Sequence, residues 1–228
     1  MISFIGSPSS LYLLTALVAA GAFLHLYGTA FHTRQLAWPF KPFPVFILLL
    51  YLTLQPHQSF YTILIATGLF FSFIGDIFLL QEDRFFIQGL VSFLVAHLFY
   101  IGGLVLQTGW QPIHIIPFIL IFVAFWMIFR RIQDNLKSLT LPVILYMIVI
   151  GVMVWRAFCR LGYQDILGDG VWWAALGALL FMTSDLFLAL HKFDRPLKNR
   201  DNCVMIPYYL GQYGMALSAL HFFRLSSQ

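Results

Sequence analysis

The hydrophobic positions of this chain fall in long runs, and the polar positions between them form only short loops. Seven of the eight apolar runs are close to the roughly 20 residues that a helix needs to cross a bilayer. The pattern predicts an all-α fold: a polytopic transmembrane helical bundle of about eight spans, forming one integral membrane domain over residues 1–228. The predicted spans cover residues 10–29, 42–54, 61–80, 85–106, 112–129, 140–158, 171–190 and 204–222.

The composition supports a membrane protein and excludes a soluble domain. Of the 228 residues, 61% are hydrophobic and 10% are charged, whereas a soluble domain carries about 25% charged residues. No polar stretch is long enough to fold as a separate soluble domain. The two cysteines, Cys159 and Cys203, imply no disulfide framework. The first apolar run lacks a preceding basic segment, so we expect a retained span and not a cleaved signal.

The distribution of positive charge indicates whether the short second segment, residues 42–54, crosses the membrane. With eight spans, the loops after spans 1, 3, 5 and 7 share one side and hold ten of the thirteen Lys and Arg residues. If this segment did not cross, the Lys and Arg residues would be divided eight against five between the two sides of the membrane. Because Lys and Arg accumulate in cytoplasmic loops, the charges favour eight spans with both termini outside the cytoplasm. We interpret the net charge of +4 as topology, not nucleic-acid binding, and expect a bacterial plasma (inner) membrane protein.

Two carboxylates interrupt the apolar sequence in the same local pattern. Asp76 lies in Ser-Phe-Ile-Gly-Asp-Ile-Phe-Leu-Leu, and Asp185 lies in Met-Thr-Ser-Asp-Leu-Phe-Leu-Ala-Leu. An ionisable group in hydrocarbon costs roughly 2.5–3.5 kcal/mol, so such residues usually face a cavity, a partner or a functional site. Spans 3 and 7 run in the same direction, which predicts a shared depth for the two carboxylates near the cytoplasmic boundary. A parallel four-plus-four internal repeat would explain this match.

Other polar side chains lie in the predicted spans, and each allows two interpretations. His97 is either a hydrogen-bonded packing residue or a participant in a site near the carboxylates. Tyr208 and Tyr209 lie at the depth of the carboxylates, where an interfacial aromatic belt is the simpler explanation. Gln212 is one helical turn from Tyr208 on the same face, which favours a role at the site. Arg156 lies near the outer end of span 6, where we expect its side chain to snorkel to the interface.

Six short motifs of this chain resemble the YhhN-like family of membrane lysoplasmalogenases. In chain order they are Lys41-Pro42-x-Pro44, Gly75-Asp76, Ala96-His97-Leu98-Phe99-Tyr100, Trp155-Arg156, Ser184-Asp185 and Tyr208-Tyr209-x-x-Gln212. Each motif is short, but their order and spacing are together specific, and the resemblance covers nearly the whole chain. Pro207 departs from the family pattern, in which threonine precedes the Tyr-Tyr pair.

The resemblance implies an activity, a substrate class and a set of site residues. Members of that family hydrolyse the vinyl ether bond of lysoplasmalogens to a fatty aldehyde and glycerophosphoethanolamine or glycerophosphocholine. The implied partners are a lysophospholipid substrate and membrane lipid, with no cofactor and no metal. The catalytic residues expected from the motifs are Asp76, Asp185 and His97. The substrate-binding residues expected are Lys41, Tyr208, Tyr209, Gln212, Tyr100 and Ser184.

Paired intramembrane carboxylates suit this reaction on chemical grounds. Protonation of the outer vinyl carbon gives an oxocarbenium ion, water adds, and the hemiacetal collapses to aldehyde and alcohol. The reaction needs an acid that still holds its proton and a negative group that faces the cation. Glycosidases meet a related need with two carboxyls in different environments. An aspartate pair could supply both functions, and this chemistry requires no metal.

Three other readings of the carboxylates are open at this stage. A small-molecule or proton-coupled transporter would use the same groups to carry protons. An intramembrane aspartyl protease would also need two aspartates, but the second motif lacks a Gly-x-Gly-Asp sequence. The carboxylates could also pair with basic residues only to fix helix register. Lys41 is likewise open, as a contact for the lipid phosphate or as an ordinary cytoplasmic lysine.

Overall fold

Helices make up nearly all of the chain that the computed structural model describes, which comprises residues 8–56, 58–106, 108–109 and 115–226. The described part contains no β-strand. Its α-helices are α1 (Pro8–Ala30), α2 (Arg34–Phe40), α3 (Phe43–Thr53), α4 (Phe60–Phe78), α5 (Glu82–Leu106), α6 (Ile115–Leu136), α7 (Thr140–Cys159), α8 (Gln164–Leu167), α9 (Gly170–Phe193) and α10 (Arg200–Ser226). The predicted all-α class is confirmed, and each predicted apolar segment falls on a helix. The predicted start of the fifth segment, at residues 112–114, lies outside the described residues.

The main departure from the predicted pattern is α2, which occupies part of the expected loop after the first span. Its Ala37 lies against Gly28 of α1, where a Cβ atom at Gly28 would come within 2.6 Å of the Ala37 backbone nitrogen. The absent side chain at Gly28 therefore lets the segment Arg34–Phe40 fold back onto α1. This packing brings Arg34 and Trp38 close to Lys41, which lies in the turn before α3.

Five helical stretches in the described part are long and apolar enough to cross a membrane, so the chain is an integral membrane protein. Two of these stretches, Phe60–Leu106 and Ile115–Leu167, contain 47 and 53 residues and far exceed one crossing. The first contains α4 and α5 with the 3₁₀ turn Leu79–Gln81 between them, and the second contains α6 and α7. The count of eight spans and the four-plus-four repeat remain predictions.

Close contacts at glycines show that α4 and α5 run antiparallel. A Cβ atom at Gly68 would meet the Tyr100 ring at 2.2 Å, and one at Gly75 would meet the Phe93 ring at 2.7 Å. Residue numbers rise along α4 as they fall along the facing surface of α5, so the chain reverses at the turn between them. Gly75 directly precedes Asp76, and the small residue there makes room for an aromatic ring of the neighbouring helix.

Two arginines are wholly buried, and this corrects the expectation that Arg156 snorkels to the interface. Arg156 and Arg160 are 0% and 1% exposed. The Arg156 guanidinium donates to the Thr108 hydroxyl at 3.1 Å and to the carbonyl of Gly109. Arg160 donates to the Tyr61 hydroxyl at 2.8 Å. Interior acceptors therefore replace the water that a snorkelling side chain would seek.

Candidate functional site

Charged residues from three helices and from the turn between α2 and α3 meet at one end of the bundle, called here the basic end. It is defined by Lys41, Glu82, Lys192 and Arg200. The Glu82 carboxylate pairs with Lys192 at 3.4 Å and accepts a hydrogen bond from Arg200. Burial alone would raise the pKa of the Glu82 carboxyl. The charges of Arg200 and Lys192 outweigh burial and hold this pKa below its ordinary value. Glu82 therefore stays ionised and links the start of α5 to the end of α9 and the start of α10.

Asp76 is buried close to the basic end. Asp76 is only 1% exposed, and its Oδ2 accepts a hydrogen bond from the Tyr208 hydroxyl at 2.7 Å. Leu79, three residues later, accepts a hydrogen bond through its carbonyl from Lys41 Nζ at 2.9 Å. The end of α4 is thus held by α10 through Asp76 and by the turn between α2 and α3 through Lys41.

Asp185 lies at the wall of an apolar cavity of about 50 Å³, called here the Asp185 cavity. Its side chain is 15% exposed, and its Oδ2 accepts a hydrogen bond from the Tyr146 hydroxyl at 2.6 Å. The rest of the wall is apolar and includes Leu79 and Phe93. The volume exceeds what one water molecule needs. A group that enters this cavity would therefore meet a carboxyl in apolar surroundings.

His97 lies beside Asp185. Its Nε2 is 4.0 Å from Oδ2 of Asp185, too long for a direct hydrogen bond. This nitrogen has no hydrogen-bond partner among the described residues, and the residue is 0% exposed. The imidazole ring packs edge-on against Phe181 and Tyr146, with centroid separations of 4.6 and 5.4 Å. Packing therefore fixes the ring next to the carboxylate.

The two carboxylates accept hydrogen bonds from different tyrosines, and an aromatic ring connects their surroundings. The Phe181 ring contacts the ring of Tyr208, the donor to Asp76, with a centroid separation of 5.4 Å. The same ring contacts His97 beside Asp185. The side chains around Asp76 and Asp185 therefore share one packed aromatic layer.

Three of the expected substrate-binding residues are engaged with the protein itself. The Tyr100 hydroxyl donates to Oε1 of Gln212 at 2.7 Å, and both residues are 0% exposed. Ser184 Oγ donates to the Val204 carbonyl at 2.8 Å and joins α9 to α10. These contacts support the packing around the carboxylates, and none of the three residues lines the Asp185 cavity.

Tyr208 and Tyr209 are each 4% exposed, so neither belongs to an exposed aromatic belt. The Tyr209 hydroxyl donates to the Lys41 carbonyl at 3.0 Å and lies 2.9 Å from Nδ1 of His25. Tyr209 therefore connects α10 with α1 and with the turn between α2 and α3.

A polar pocket of about 440 Å³, called here the basic pocket, opens beside these contacts. Arg34, Lys41 and Arg200 contribute its cations and Asp201 contributes a carboxylate. Leu79 lines this pocket and also lines the Asp185 cavity.

Sequence reasoning missed Tyr146, His25 and the grouping of Arg34 with Lys41 and Arg200. Tyr146 lies in the middle of an apolar span and not at its ends, which is the signal that could have indicated a buried donor. His25 shows no motif spacing, and only the fold brings it to Tyr209. Among the described residues, no group of three or more His, Cys, Asp or Glu side chains is placed to hold a metal ion.

Comparison with known proteins supplies the family. The YhhN family matches residues 36–219. Lysoplasmalogenase TMEM86A of Bos taurus is 34% identical over 192 residues, covering 79% of this chain and 76% of the relative. Lysoplasmalogenase TMEM86B of Homo sapiens is 30% identical over 190 residues, covering 82% and 77%. A lysoplasmalogenase homolog of Dictyostelium discoideum is 29% identical over 206 residues, covering 75% and 67%.

No solved structure matches this chain significantly. The family match nevertheless extends over most of the 228 residues, and relatives at 30% identity or more align over most of both chains. The chain therefore belongs to the YhhN family.

Proposed function

We propose that this protein is a membrane lysoplasmalogenase. It hydrolyses the vinyl ether bond of a lysoplasmalogen to a fatty aldehyde and glycerophosphoethanolamine or glycerophosphocholine. The relatives named lysoplasmalogenases support the reaction class. The observation that carries the proposal is the carboxyl of Asp185, held by Tyr146 at the wall of an otherwise apolar cavity.

Asp185 is the group that we assign to proton transfer, because its side chain is partly exposed to the cavity and Asp76 is buried. The carboxyl O–H bond breaks and a C–H bond forms at the outer vinyl carbon, which leaves a cation at the carbon bonded to oxygen. Water adds to that carbon and gives up a proton to the Asp185 carboxylate. The hemiacetal C–O bond then breaks, its hydroxyl proton leaves, and the glycerol oxygen takes up a proton.

Asp76 supplies the second charge of the proposed pair. An ionised carboxylate near the site stabilises a developing cation most strongly where water is excluded. The shared aromatic layer of Phe181 and Tyr208 keeps this region apolar. Tyr146 and His97 act as positioning residues, since both contact the Asp185 side chain or its immediate surroundings.

Assay of purified protein in detergent tests the reaction class. We expect aldehyde release from lysoplasmalogen and no free acid from an ester lysolipid, because only the vinyl ether is activated by protonation at carbon. The measurement is lipid extraction followed by quantification of aldehyde and of free fatty acid. Detergent removes the membrane compartment, so a protein that only transports would release neither product. Free acid from the ester substrate without aldehyde would contradict the proposal.

The pH dependence tests which group donates the proton. A mechanism with one protonated and one ionised carboxyl gives a bell-shaped profile, whose limits belong to the coupled groups. Activity falls on the acid side as the ionised partner gains a proton and on the alkaline side as the donor loses its proton. In His97→Gln we expect a lower rate but an unchanged alkaline limb, because the donor is a carboxyl. If the alkaline limb disappears while activity persists, that limb reports the titration of His97, and the assignment of the alkaline limb to the Asp185 carboxyl is wrong.

A further inference from the structure

The basic pocket has the charge of an anion-binding site. Arg34, Lys41 and Arg200 line it, and Asp201 is the acidic side chain among its lining residues. Among the described residues, no carboxylate lies within 4.0 Å of the Lys41 or Arg34 side-chain nitrogens. Arg200 differs, because its guanidinium is already paired with Glu82, a carboxylate that it shares with Lys192. Among the described cations of the pocket, Lys41 and Arg34 are therefore the two that no carboxylate contacts directly.

Both of these cations are held in place by neighbouring groups. Lys41 Nζ donates one hydrogen bond to the Leu79 carbonyl at 2.9 Å, and an ammonium group carries three donors. The Arg34 guanidinium lies over the Trp38 ring, 4.8 Å from its centroid. A cation that is already positioned loses less side-chain entropy when an anion binds.

The position of the pocket relates it to the Asp185 cavity. Leu79 lines both, so a polar, basic compartment and an apolar compartment with a carboxyl share one residue of their walls. In a lysoplasmalogen only the glycerol unit separates the phosphate from the vinyl ether. A ligand of this kind needs an anion site and an apolar reaction site as immediate neighbours, and the two compartments meet that requirement.

We infer that the basic pocket binds the phosphate of the lysolipid head group through Lys41 and Arg34, with the glycerol passing Leu79 to place the vinyl ether beside Asp185. This assignment rests on the proposed function for its substrate. Phosphate is also the natural anion for the donor set, because ammonium and guanidinium groups both form charge-assisted hydrogen bonds with its oxygens. Asp201, at the same wall, supplies a carboxylate for the ammonium of an ethanolamine or choline head group.

The kinetic test compares Lys41→Gln and Arg34→Gln with wild-type protein on lysoplasmalogen. Each variant removes one charged contact, so we expect KM to rise by about tenfold, with a much smaller change in kcat. Arg131→Gln is the matched control, because Arg131 is an exposed cation on α6 that does not line the pocket. Equal KM values in wild type and both pocket variants would overturn the assignment.

Binding of an unreactive lysolipid tests the phosphate assignment of the basic pocket independently of the proposed catalysis. The probe is a saturated alkyl-ether lysophosphoethanolamine, which has the same head group but no vinyl ether and cannot react. We expect its Kd to rise by about tenfold in Lys41→Gln and in Arg34→Gln, even if no lysolipid yields aldehyde. Because Lys41 also supports the Leu79 carbonyl, Arg34→Gln serves as the variant with the smaller structural risk. An unchanged Kd in a folded Arg34→Gln variant would overturn the pocket assignment alone.

Competition distinguishes a lipid head group from free phosphate. Glycerophosphoethanolamine is expected to displace the alkyl-ether probe at lower concentration than inorganic phosphate does, since it also offers an ammonium to Asp201. Asp201→Asn should reduce that advantage without weakening displacement by inorganic phosphate. If inorganic phosphate displaces the probe as well as glycerophosphoethanolamine does, the pocket binds phosphate generally and the head-group assignment is wrong.

Discussion

Asp185→Asn is expected to lower the rate of aldehyde release by about a thousandfold, within the range for loss of a general acid. Asparagine has the same shape and can still accept the hydrogen bond from Tyr146, which holds the native side chain at 2.6 Å. It has no acidic proton to give to a vinyl carbon. The fold should therefore survive while the proposed chemistry is lost, as measured by kcat on lysoplasmalogen and by thermal unfolding in detergent.

Controls separate the loss of a proton donor from general damage. Asp165→Asn changes an exposed carboxylate that lies in the short helix α8, away from the Asp185 cavity, and should leave kcat unchanged. Asp76→Asn should also inactivate the enzyme, because it removes the buried charge assigned to stabilising the cation. Near wild-type kcat in a folded Asp185→Asn protein would exclude the carboxyl as the acid.

The apolar pattern predicted the helices well because the bilayer imposes a simple rule. Every backbone polar group in hydrocarbon must be satisfied within its own segment, so a long apolar run can form only a helix. The predicted segment 61–80 corresponds to α4 at Phe60–Phe78, and 140–158 corresponds to α7 at Thr140–Cys159. A segment of only seven residues that contains Pro39 is too short for this rule to apply, so the sequence does not predict α2.

The carboxylates of the candidate site could be selected from sequence because an ionisable group in an apolar span is costly. Their contacts could not, since these depend on how helices distant in sequence pack. Tyr208 reaches Asp76 across 132 residues and Tyr146 reaches Asp185 across 39. The sequence can single out either tyrosine, but it does not show which carboxylate each one reaches.

The contacts of Arg156 could not be predicted from the sequence either. Its position near the end of a span predicts snorkelling, because an isolated helix offers a guanidinium only the interface. In the folded chain the turn after α5 supplies a hydroxyl from Thr108 and a carbonyl from Gly109. The acceptors exist only once α5 and α7 have packed together, so the sequence of α7 carries no sign of them.

The packing of α9 on α10 depends on Gly177, Gly211 and Gly214. We expect a substitution at this interface to have a large effect on stability, although it lies away from the polar site. A Cβ atom at Gly177 would lie 2.8 Å from the Gly211 carbonyl oxygen and 2.8 Å from the Met215 backbone nitrogen. A Cβ atom at Gly214 would lie 2.9 Å from the Gly177 Cα. The obstructing atoms belong mostly to backbone, which cannot move aside as a flexible side chain can. Small residues at this interface therefore permit an approach that any larger residue prevents.

Gly177→Ala is accordingly expected to lower the free energy of unfolding by about 1–3 kcal/mol, the usual cost of overpacking. Helix propensity alone predicts the opposite sign, because alanine is favoured over glycine in a helix interior by about 1 kcal/mol. Gly102→Ala provides the matched control: its Cβ atom would meet only Leu64 Cδ1 at 3.8 Å, an ordinary contact, so this variant should be neutral or more stable. Thermal unfolding of both variants in one detergent gives the comparison.

Gly177→Ala should also reduce activity more than its loss of stability explains. Asp185 lies on α9 and Tyr208, the donor to Asp76, lies on α10. Separating these helices moves one carboxylate relative to the other's hydrogen-bond donor and disturbs the Phe181 contacts that link their surroundings. Positioning errors of this kind reduce kcat in protein that is still folded. A Gly177→Ala variant as stable and as active as Gly102→Ala would show that the α9–α10 interface has more freedom than its backbone contacts allow.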